Sequence, residues 1–209
     1  MNVRLSEEPV SALAELALVP IEFTVDRVVD VVEPEGAPGA RTLRERPLHT
    51  AYVKDYDALA GEGPGRWARR FDVTPWGLIV AHMDGGWVGG AVIAGRTPGL
   101  ALLEGRSDLA LLWDIRVMPA WRGRGIGSAL FQAAERWAAA RGYRQLKVET
   151  QNINVAACRF YARQGCVLGG VDPLAYPGLP DETQLLWYKD LAAVPGGPAA
   201  QPERAGGSY

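Results

Sequence analysis

Hydrophobic and polar positions follow two periods along the chain, and together they predict a mixture of strands and helices. Short apolar or alternating runs rich in β-branched residues indicate strands. We expect strands at residues 3–5, 25–32, 76–81, 87–94, 109–117, 145–150, 166–169 and 184–188. Asp84-Gly85-Gly86 predicts a hairpin turn between the third and fourth of these. The run 109–117 is almost continuously apolar, so we expect it at the centre of a sheet.

Other stretches have the composition or the 3.6-residue spacing of helices. We expect helices at residues 10–18, 50–59, 64–71, 125–141 and 155–164. In the fourth, Ile126, Leu130 and Trp137 share one face, and Gly142 is placed to end it. Asn154 is a candidate N-cap for the last helix. Helices, then antiparallel strands, then β-α-β-α-β predict an α/β or α+β domain with a mixed sheet over residues 1–191.

Composition and charge narrow the function classes. The chain has 209 residues, a formal net charge of −2 and a sequence pI of about 5.8, a balance that does not favour a protein that binds duplex nucleic acid. We expect no signal peptide and no membrane span, and hence a cytoplasmic protein. Residues 192–209 are rich in Pro, Gly and Ala and are expected to form a disordered tail.

The small number of cysteines and histidines argues against metal or thiol chemistry. The chain has two cysteines, Cys158 and Cys166, and two histidines. Their spacing fits no metal motif, and a zinc site or a Cys-His nucleophile pair is not expected. Both cysteines lie in apolar surroundings, so we expect reduced, packed thiols.

A glycine-rich turn carries the most chemical information. Arg122-Gly123-Arg124-Gly125-Ile126-Gly127 follows the apolar strand 109–117 and opens a long helix. Glycines allow a tight turn and a close approach of backbone N–H groups to a ligand, and a helix N-terminus favours an anion. Arg122 and Arg124 add positive charge, so the turn predicts a phosphate or pyrophosphate site. A P-loop would need Gly-Lys-Ser/Thr, and a dinucleotide fingerprint would need glycine where Ser128 stands. A turn without a ligand also fits this motif taken alone.

These residues resemble a known superfamily. Arg122-x-x-Gly125-x-Gly127 is similar to the Arg/Gln-x-x-Gly-x-Gly/Ala signature of the GNAT acetyltransferases. Residues 149–161, 169–172 and 186–188 resemble the streptothricin acetyltransferases of that superfamily, and the N-terminal half matches loosely through Lys54-Asp55-Tyr56. One departure is Cys166, where those enzymes usually have Phe. The resemblance covers roughly residues 110–190.

The resemblance implies a fold and an activity. The fold would be a mixed, mostly antiparallel sheet flanked by helices and splayed where acetyl-CoA binds. The activity would be acetyl transfer from acetyl-CoA, without a metal, to a primary amine of a small cationic molecule such as a streptothricin-like antibiotic. Acetylation of a protein or peptide amine, and a non-catalytic acyl-CoA-binding module, remain alternatives. The sequence leaves a homodimer open.

The resemblance also implies which residues form the site. The residues expected to bind the cofactor are Ile115, Arg116, Val117, Arg122, Gly123, Arg124, Gly125, Ile126, Gly127, Ser128, Asn154, Ala157 and Tyr161. Tyr161 would protonate the departing thiolate, although it could instead pack at the edge of the core. Asn154 would bind the pantetheine amide, although capping the helix would be sufficient reason for it.

Two carboxylates are candidates for the general base that an amine requires, because the ordinary pKa of a lysine-like amine lies near 10.4. Asp114 lies on the predicted strand just before the glycine turn, and Glu149 lies on the next predicted strand. The alternative for each is a structural carboxylate paired with an arginine such as Arg116. Five aromatic residues could line an acceptor pocket, but such residues are more often core: Tyr52, Tyr56, Trp67, Trp76 and Trp113.

Overall fold

The structure, a computed structural model, describes residues 3–33, 35–36 and 41–192. The strands in these ranges are β1 Arg4–Glu8, β2 Phe23–Val32, β3 Thr42–Lys54, β4 Gly77–Met83, β5 Gly86–Ala94, β6 Leu109–Val117, β7 Gln145–Gln151, β8 Val167–Asp172 and β9 Gln184–Asp190. The α-helices are α1 Pro64–Trp67, α2 Ile126–Ala140 and α3 Val155–Arg163. Short 3₁₀ helices span Val10–Leu18, Ala101–Leu103 and Pro119–Trp121.

Seven of these strands form one sheet in the order β1-β4-β5-β6-β7-β9-β8. All neighbouring pairs are antiparallel except β6 and β7, which run parallel. A parallel pair needs a crossover connection, and α2 lies in the connection between these two strands. The expected mixed, mostly antiparallel sheet flanked by helices is therefore confirmed. Strands β2 and β3 form a separate two-stranded sheet.

The central pair of strands separates partway along its length. Strand β7 pairs with β6 only from Leu109 to Leu112. The next residue, Trp113, is skipped in the pairing with β5, where Val92 lies opposite Asp114 and Ile93 opposite Leu112. This is a β-bulge, which bends the bulged strand. Beyond it, β6 stays paired to β5 while β7 stays paired to β9, so a gap opens between them and the expected splay is confirmed.

The sheet buries side chains on both faces. Along β4 the side chains alternate: Ile79 packs with α2, while Leu78 packs with the 3₁₀ helix Val10–Leu18 and α1. On the α2 face, Phe131 is completely buried. The two faces hold the central strands in place, which is why the gap between β6 and β7 has rigid walls.

Several sequence predictions need correction. The predicted helix at 50–59 is wrong, because β3 extends through Lys54 and pairs with β2. Most positions of β3 are exposed, so its sequence lacks the alternation that marks a half-buried strand. The helix Val10–Leu18 is a 3₁₀ helix, and only Pro64–Trp67 of the predicted helix 64–71 is α-helical. The expected disordered tail lies outside the described residues, apart from Ala192.

The two cysteines behave as expected. Cys158 and Cys166 are buried free thiols, and burial raises the pKa of each to about 11. The thiolate is the reactive form of cysteine, and a pKa of about 11 keeps both thiols protonated at neutral pH. Both cysteines are therefore suited to packing in the core.

Among the described helices, none is long and apolar enough to cross a membrane.

A buried arginine joins three segments around the gap. Arg116 of β6 has a side chain that is 1% exposed. Its guanidinium donates two hydrogen bonds to Asp114, at 2.8 and 2.6 Å, and two to Asp57, at 2.6 and 3.2 Å. A fifth bond, at 3.1 Å, reaches the carbonyl of Val19. All five N–H donors of the side chain are therefore bonded, and β6 is tied to the segments before β2 and after β3.

Replacing this arginine tests its structural role. We expect Arg116→Met to lower the free energy of unfolding by about 3–5 kcal/mol, since it leaves a buried carboxylate without its partner. The control is Arg46→Met, which breaks an exposed ion pair with Asp30 and should cost at most about 1 kcal/mol. Urea denaturation measures both. Equal losses in the two variants would contradict the assigned role.

Candidate active site

A cavity of about 680 Å³ occupies the gap between the parted strands. The cavity is lined by residues 114–117 of β6 and 149–151 of β7. Helix α3 contributes Ala156, Ala157, Phe160 and Tyr161. Residues that follow β3, and residues of the connection between β8 and β9, complete the wall. The sheet therefore provides two divergent strand ends, and connecting segments close the space around them.

The glycine turn lies at the start of α2 and has an open outer side. Gly123 and Gly125 have φ of 76° and 84°, in the left-handed region that favours glycine. A Cβ built on either would meet no atom within 4 Å, so a ligand has access to the backbone there. The first amides of α2 have no carbonyl one turn earlier to bond. Gly125 is the N-cap of α2, and Gly127, two residues further on, lines the cavity.

Both arginines of the turn have contacts with the protein itself. Arg122 donates hydrogen bonds to the carbonyls of Val117, Glu22 and Pro20, at 2.9, 3.0 and 3.1 Å. Its side chain thus fastens the turn to β6 and to the segment before β2, and the contribution of its charge to a phosphate stays a prediction. Arg124 packs over the ring of Trp121 at 5.0 Å.

The residues that follow are placed by hydrogen bonds of their own. The hydroxyl of Ser128 accepts a hydrogen bond from Gln164 at 3.0 Å. Asn154 is the N-cap of α3, as predicted: its side-chain oxygen accepts from the amide of Ala157 at 3.1 Å. Both Asn154 and Ala157 line the cavity. Capping uses the oxygen of Asn154 and leaves its amide nitrogen for another partner.

Tyr161 is buried on α3 and lines the same cavity. Burial, together with the negative charge of Asp114, raises the pKa of its phenol well above the ordinary value. The hydroxyl is hydrogen-bonded to no group of the described residues. Tyr161 is thus a protonated phenol at neutral pH, facing a space in which it can donate.

The two candidate carboxylates differ in their surroundings. Both oxygens of Asp114 accept hydrogen bonds from Arg116, which is the paired arrangement considered as the alternative to a base. With both oxygens occupied by one guanidinium, Asp114 has the geometry of a structural carboxylate, and its role as a base stays a prediction. Glu149 is half-buried, lines the cavity and accepts a hydrogen bond from the phenol of Tyr176. Within the described ranges, Glu149 forms no ion pair.

Sequence reasoning missed several residues of this wall. Glu182 is buried and accepts hydrogen bonds from Lys54 and, at 2.7 Å, from Tyr56. Tyr176 and Glu182 belong to the Pro- and Gly-rich connection between β8 and β9, which has no periodicity to mark a buried position. In the sequence, the one signal for this part of the wall was the loose match of Lys54-Asp55-Tyr56 to the streptothricin acetyltransferases. Of the five aromatic candidates, Tyr56, Trp67 and Trp113 line the cavity.

Comparison with known proteins agrees with this geometry. The chain matches the family model described as "Acetyltransferase (GNAT) family" over residues 41–166. It is 40% identical over 81 residues to streptothricin acetyltransferase A of Bacillus subtilis (strain 168), covering 38% of this chain and 47% of that protein. To the streptothricin acetyltransferase of Streptomyces lavendulae it is 28% identical over 149 residues, covering 71% of this chain and 75% of that protein.

The fold has a counterpart among solved structures. A Bacillus anthracis str. Ames protein, crystallised in complex with acetyl coenzyme A, superposes with a TM-score of 0.72 at 24% identity. The match covers 91% of this chain and all of that one. In the sequence matches of highest identity, the chain spans about half the length of the curated relatives. Because the family model covers more than half of the chain, and the splayed sheet and glycine turn agree with it, this chain belongs to the acetyltransferase (GNAT) family.

Proposed function

We propose that this chain transfers an acetyl group from acetyl-CoA to a primary amine of a small cationic molecule. The observation that carries the proposal is that Gly127, Glu149 and Tyr161 line one cavity. One of these residues belongs to an anion-binding turn, one is a carboxylate and one is a protonated phenol. An amine acetyltransferase needs these three functions in one place.

The backbone around the gap fits the cofactor. The amides at the start of α2 are suited to a pyrophosphate, because they combine unbonded N–H groups with the positive end of the helix. Beyond Leu112, the edge of β6 that faces the gap pairs with no strand of the described part of the chain. Backbone groups of residues 115–117 on that edge are therefore available to the amide-rich pantetheine arm, in the manner of an added strand. Acetyl-CoA supplies the acetyl group as a thioester.

Glu149 and Tyr161 act in proton transfer at the cavity. A protonated amine with an ordinary pKa near 10.4 must lose its proton first, at a cost of about 4–5 kcal/mol at pH 7. Glu149 takes that proton, and the neutral nitrogen then attacks the thioester carbon. As the new carbon–nitrogen bond forms and the carbon–sulfur bond breaks, Tyr161 gives its phenolic proton to the sulfur. Because burial raises its pKa, Tyr161 keeps this proton until charge develops on the leaving group. The acylated nitrogen then loses its extra proton, which restores the phenol of Tyr161, and Glu149 releases the proton it took to solvent.

The charges of the cavity favour a cationic acceptor. Asp57 and Asp114 share the single guanidinium of Arg116, and Glu149 forms no ion pair within the described ranges. The other two carboxylates are neutralised: Glu182 pairs with Lys54, and Glu62 pairs with Arg70. Arg122 also lines the cavity and keeps its positive charge, although its guanidinium donates to carbonyls of β6 and of the segment before β2. Even with Arg122 counted, the carboxylates outnumber the cations by one in the described part of the chain around the cavity. The remaining negative charge attracts an ammonium group.

The relatives suggest the class of acceptor. The curated proteins of Bacillus subtilis and Streptomyces lavendulae are named streptothricin acetyltransferases. A streptothricin-like antibiotic, with its basic amines, suits the charge of the cavity. Detoxification of such an antibiotic is therefore the physiological role we propose for this chain.

Release of free thiol from acetyl-CoA is the direct test of the activity. We expect thiol release with streptothricin and little with neutral or acidic amines of similar size, because the cavity has excess negative charge. Peptides with free α- or ε-amines serve as the comparison for a protein acceptor. If no amine in the panel gives thiol release above background, the enzyme proposal is contradicted.

Gly127→Val tests the cofactor site. A Cβ at Gly127 would lie 3.5 Å from Phe160, an ordinary contact, so the added methyl groups extend toward the cavity without backbone strain. Gly125 is less suitable, because a side chain at φ 84° is strained by itself. We expect the Kd for acetyl-CoA to rise roughly tenfold or more, measured by calorimetry. Gly86→Val, at the exposed first residue of β5, is the control. Equal affinity of both variants for acetyl-CoA would contradict the assignment of the glycine turn to the cofactor site.

Tyr161→Phe tests the proton donor. Loss of a general acid should lower kcat by roughly 10²-fold, while the Kd for acetyl-CoA stays unchanged because the ring remains. Steady-state kinetics and calorimetry measure the two quantities separately. Tyr188→Phe removes a phenol that donates to Glu104 on the outside of the molecule and should leave kcat unchanged. An unchanged kcat for Tyr161→Phe would end its assigned role.

A further inference from the structure

The connection between β8 and β9 brings a second tyrosine to the cavity. Tyr176 is half-buried and lines the cavity beside β7. The end of this connection is bonded to the chain just after β7, since the carbonyl of Thr183 accepts from the amide of Asn152 at 3.0 Å and its amide donates to the Asn152 side chain at 2.8 Å. These bonds fix the end of the connection next to the strand that carries Glu149.

The phenol of Tyr176 connects two side chains of β7. Glu149 and Gln151 are two residues apart, so they project from the same face of the strand. Gln151 donates a hydrogen bond to the phenolic oxygen at 3.0 Å, and the phenol donates to Oε1 of Glu149. Because a phenol has one hydrogen and Gln151 occupies part of its acceptor side, that hydrogen is directed at Glu149.

The phenol keeps this hydrogen under working conditions. Burial, followed by the negative charge of Glu149 and the hydrogen bond to it, raises the pKa of Tyr176 well above the ordinary value. Tyr176 is therefore a donor throughout the neutral range. A free glutamate side chain loses rotamer entropy when it is ordered, and the hydrogen bond provides this ordering before the acceptor arrives.

We propose that Tyr176 is a positioning residue for the base, which holds Oε1 of Glu149 and leaves Oε2 to take the proton of the acceptor amine. The inference rests on the proposed function, in which Glu149 is that base. Its effect on the rate is that of orientation: a base within reach of the amine must also point at it. Tyr176 itself contacts the carboxylate and takes no part in the transfer of the acetyl group.

The same cavity contains a matched pair of residues for comparison. Tyr56 donates to Glu182 just as Tyr176 donates to Glu149. Glu182, however, is also bound by Lys54, so its position does not depend on the phenol alone. Tyr56→Phe thus makes the same chemical change in the same cavity, without acting through Glu149.

A double-mutant cycle separates positioning from other effects. We expect Tyr176→Phe to lower kcat roughly tenfold, with unchanged KM for acetyl-CoA, in the otherwise unaltered protein. In a Glu149→Gln background the same change should alter kcat less than about twofold, because the base it orients is gone. Tyr56→Phe should have the same proportional effect in both backgrounds. Equal effects of Tyr176→Phe in both backgrounds would overturn the inference, as would an unchanged kcat in Glu149→Gln.

Crystal structures of the unaltered protein and of Tyr176→Phe give a readout that needs no activity. We expect one conformation of the Glu149 carboxylate in the first and several in the second. A single, unchanged conformation in the variant would refute positioning even if the chain acetylated no amine. Absence of thiol release by the unaltered protein would instead contradict the proposed function, so the two failures are distinguishable.

Discussion

The separation of β6 from β7 is the constraint on which the site depends. Pairing ends at Leu112, and the bulge at Trp113 bends β6 while β5 continues to hold it. A bulge and an interrupted ladder leave backbone groups without hydrogen-bond partners. A ligand that binds alongside β6 like a strand can bond to these groups and so offset the cost of leaving them unpaired. The same separation makes room for Glu149 on one wall and for Tyr161 of α3 opposite the open edge. Without it, the glycine turn would be a helix start with no cleft beside it.

Two arginines, the buried Arg116 and the exposed Arg122, hold this opening in shape. Arg116 ties β6 to the segments around Val19 and Asp57, and Arg122 ties the glycine turn to Val117 and to the residues before β2. Both guanidiniums use their planar arrays of donors on groups of the protein. Because Asp57 and Asp114 share the one guanidinium of Arg116, the carboxylates of the cavity are only partly compensated, which supports the proposal of a cationic acceptor.

Local patterns predicted the parts of the fold that local forces determine. The strand 109–117 and the helices that became α2 and α3 have clear periodicity and caps at Gly125 and Asn154, so their sequences agree with their structures. Strand β3 could not be found in this way, because its exposed positions have no burial pattern and its pairing with β2 is a long-range contact. The same reason explains why Tyr176 and Glu182 were missed: their partners lie far away in sequence. For Asp114 the sequence offered both a base and an ion pair, and only three-dimensional contacts distinguish them.

A crystal structure of the protein with bound coenzyme A tests the central claim most directly. The account predicts that the pyrophosphate is bound by backbone amides of residues 123–128, and that the sulfur lies in the gap between β6 and β7 within hydrogen-bonding reach of the Tyr161 hydroxyl. Coenzyme A bound elsewhere on the molecule, or bound at the turn with its sulfur directed away from the gap, would contradict it.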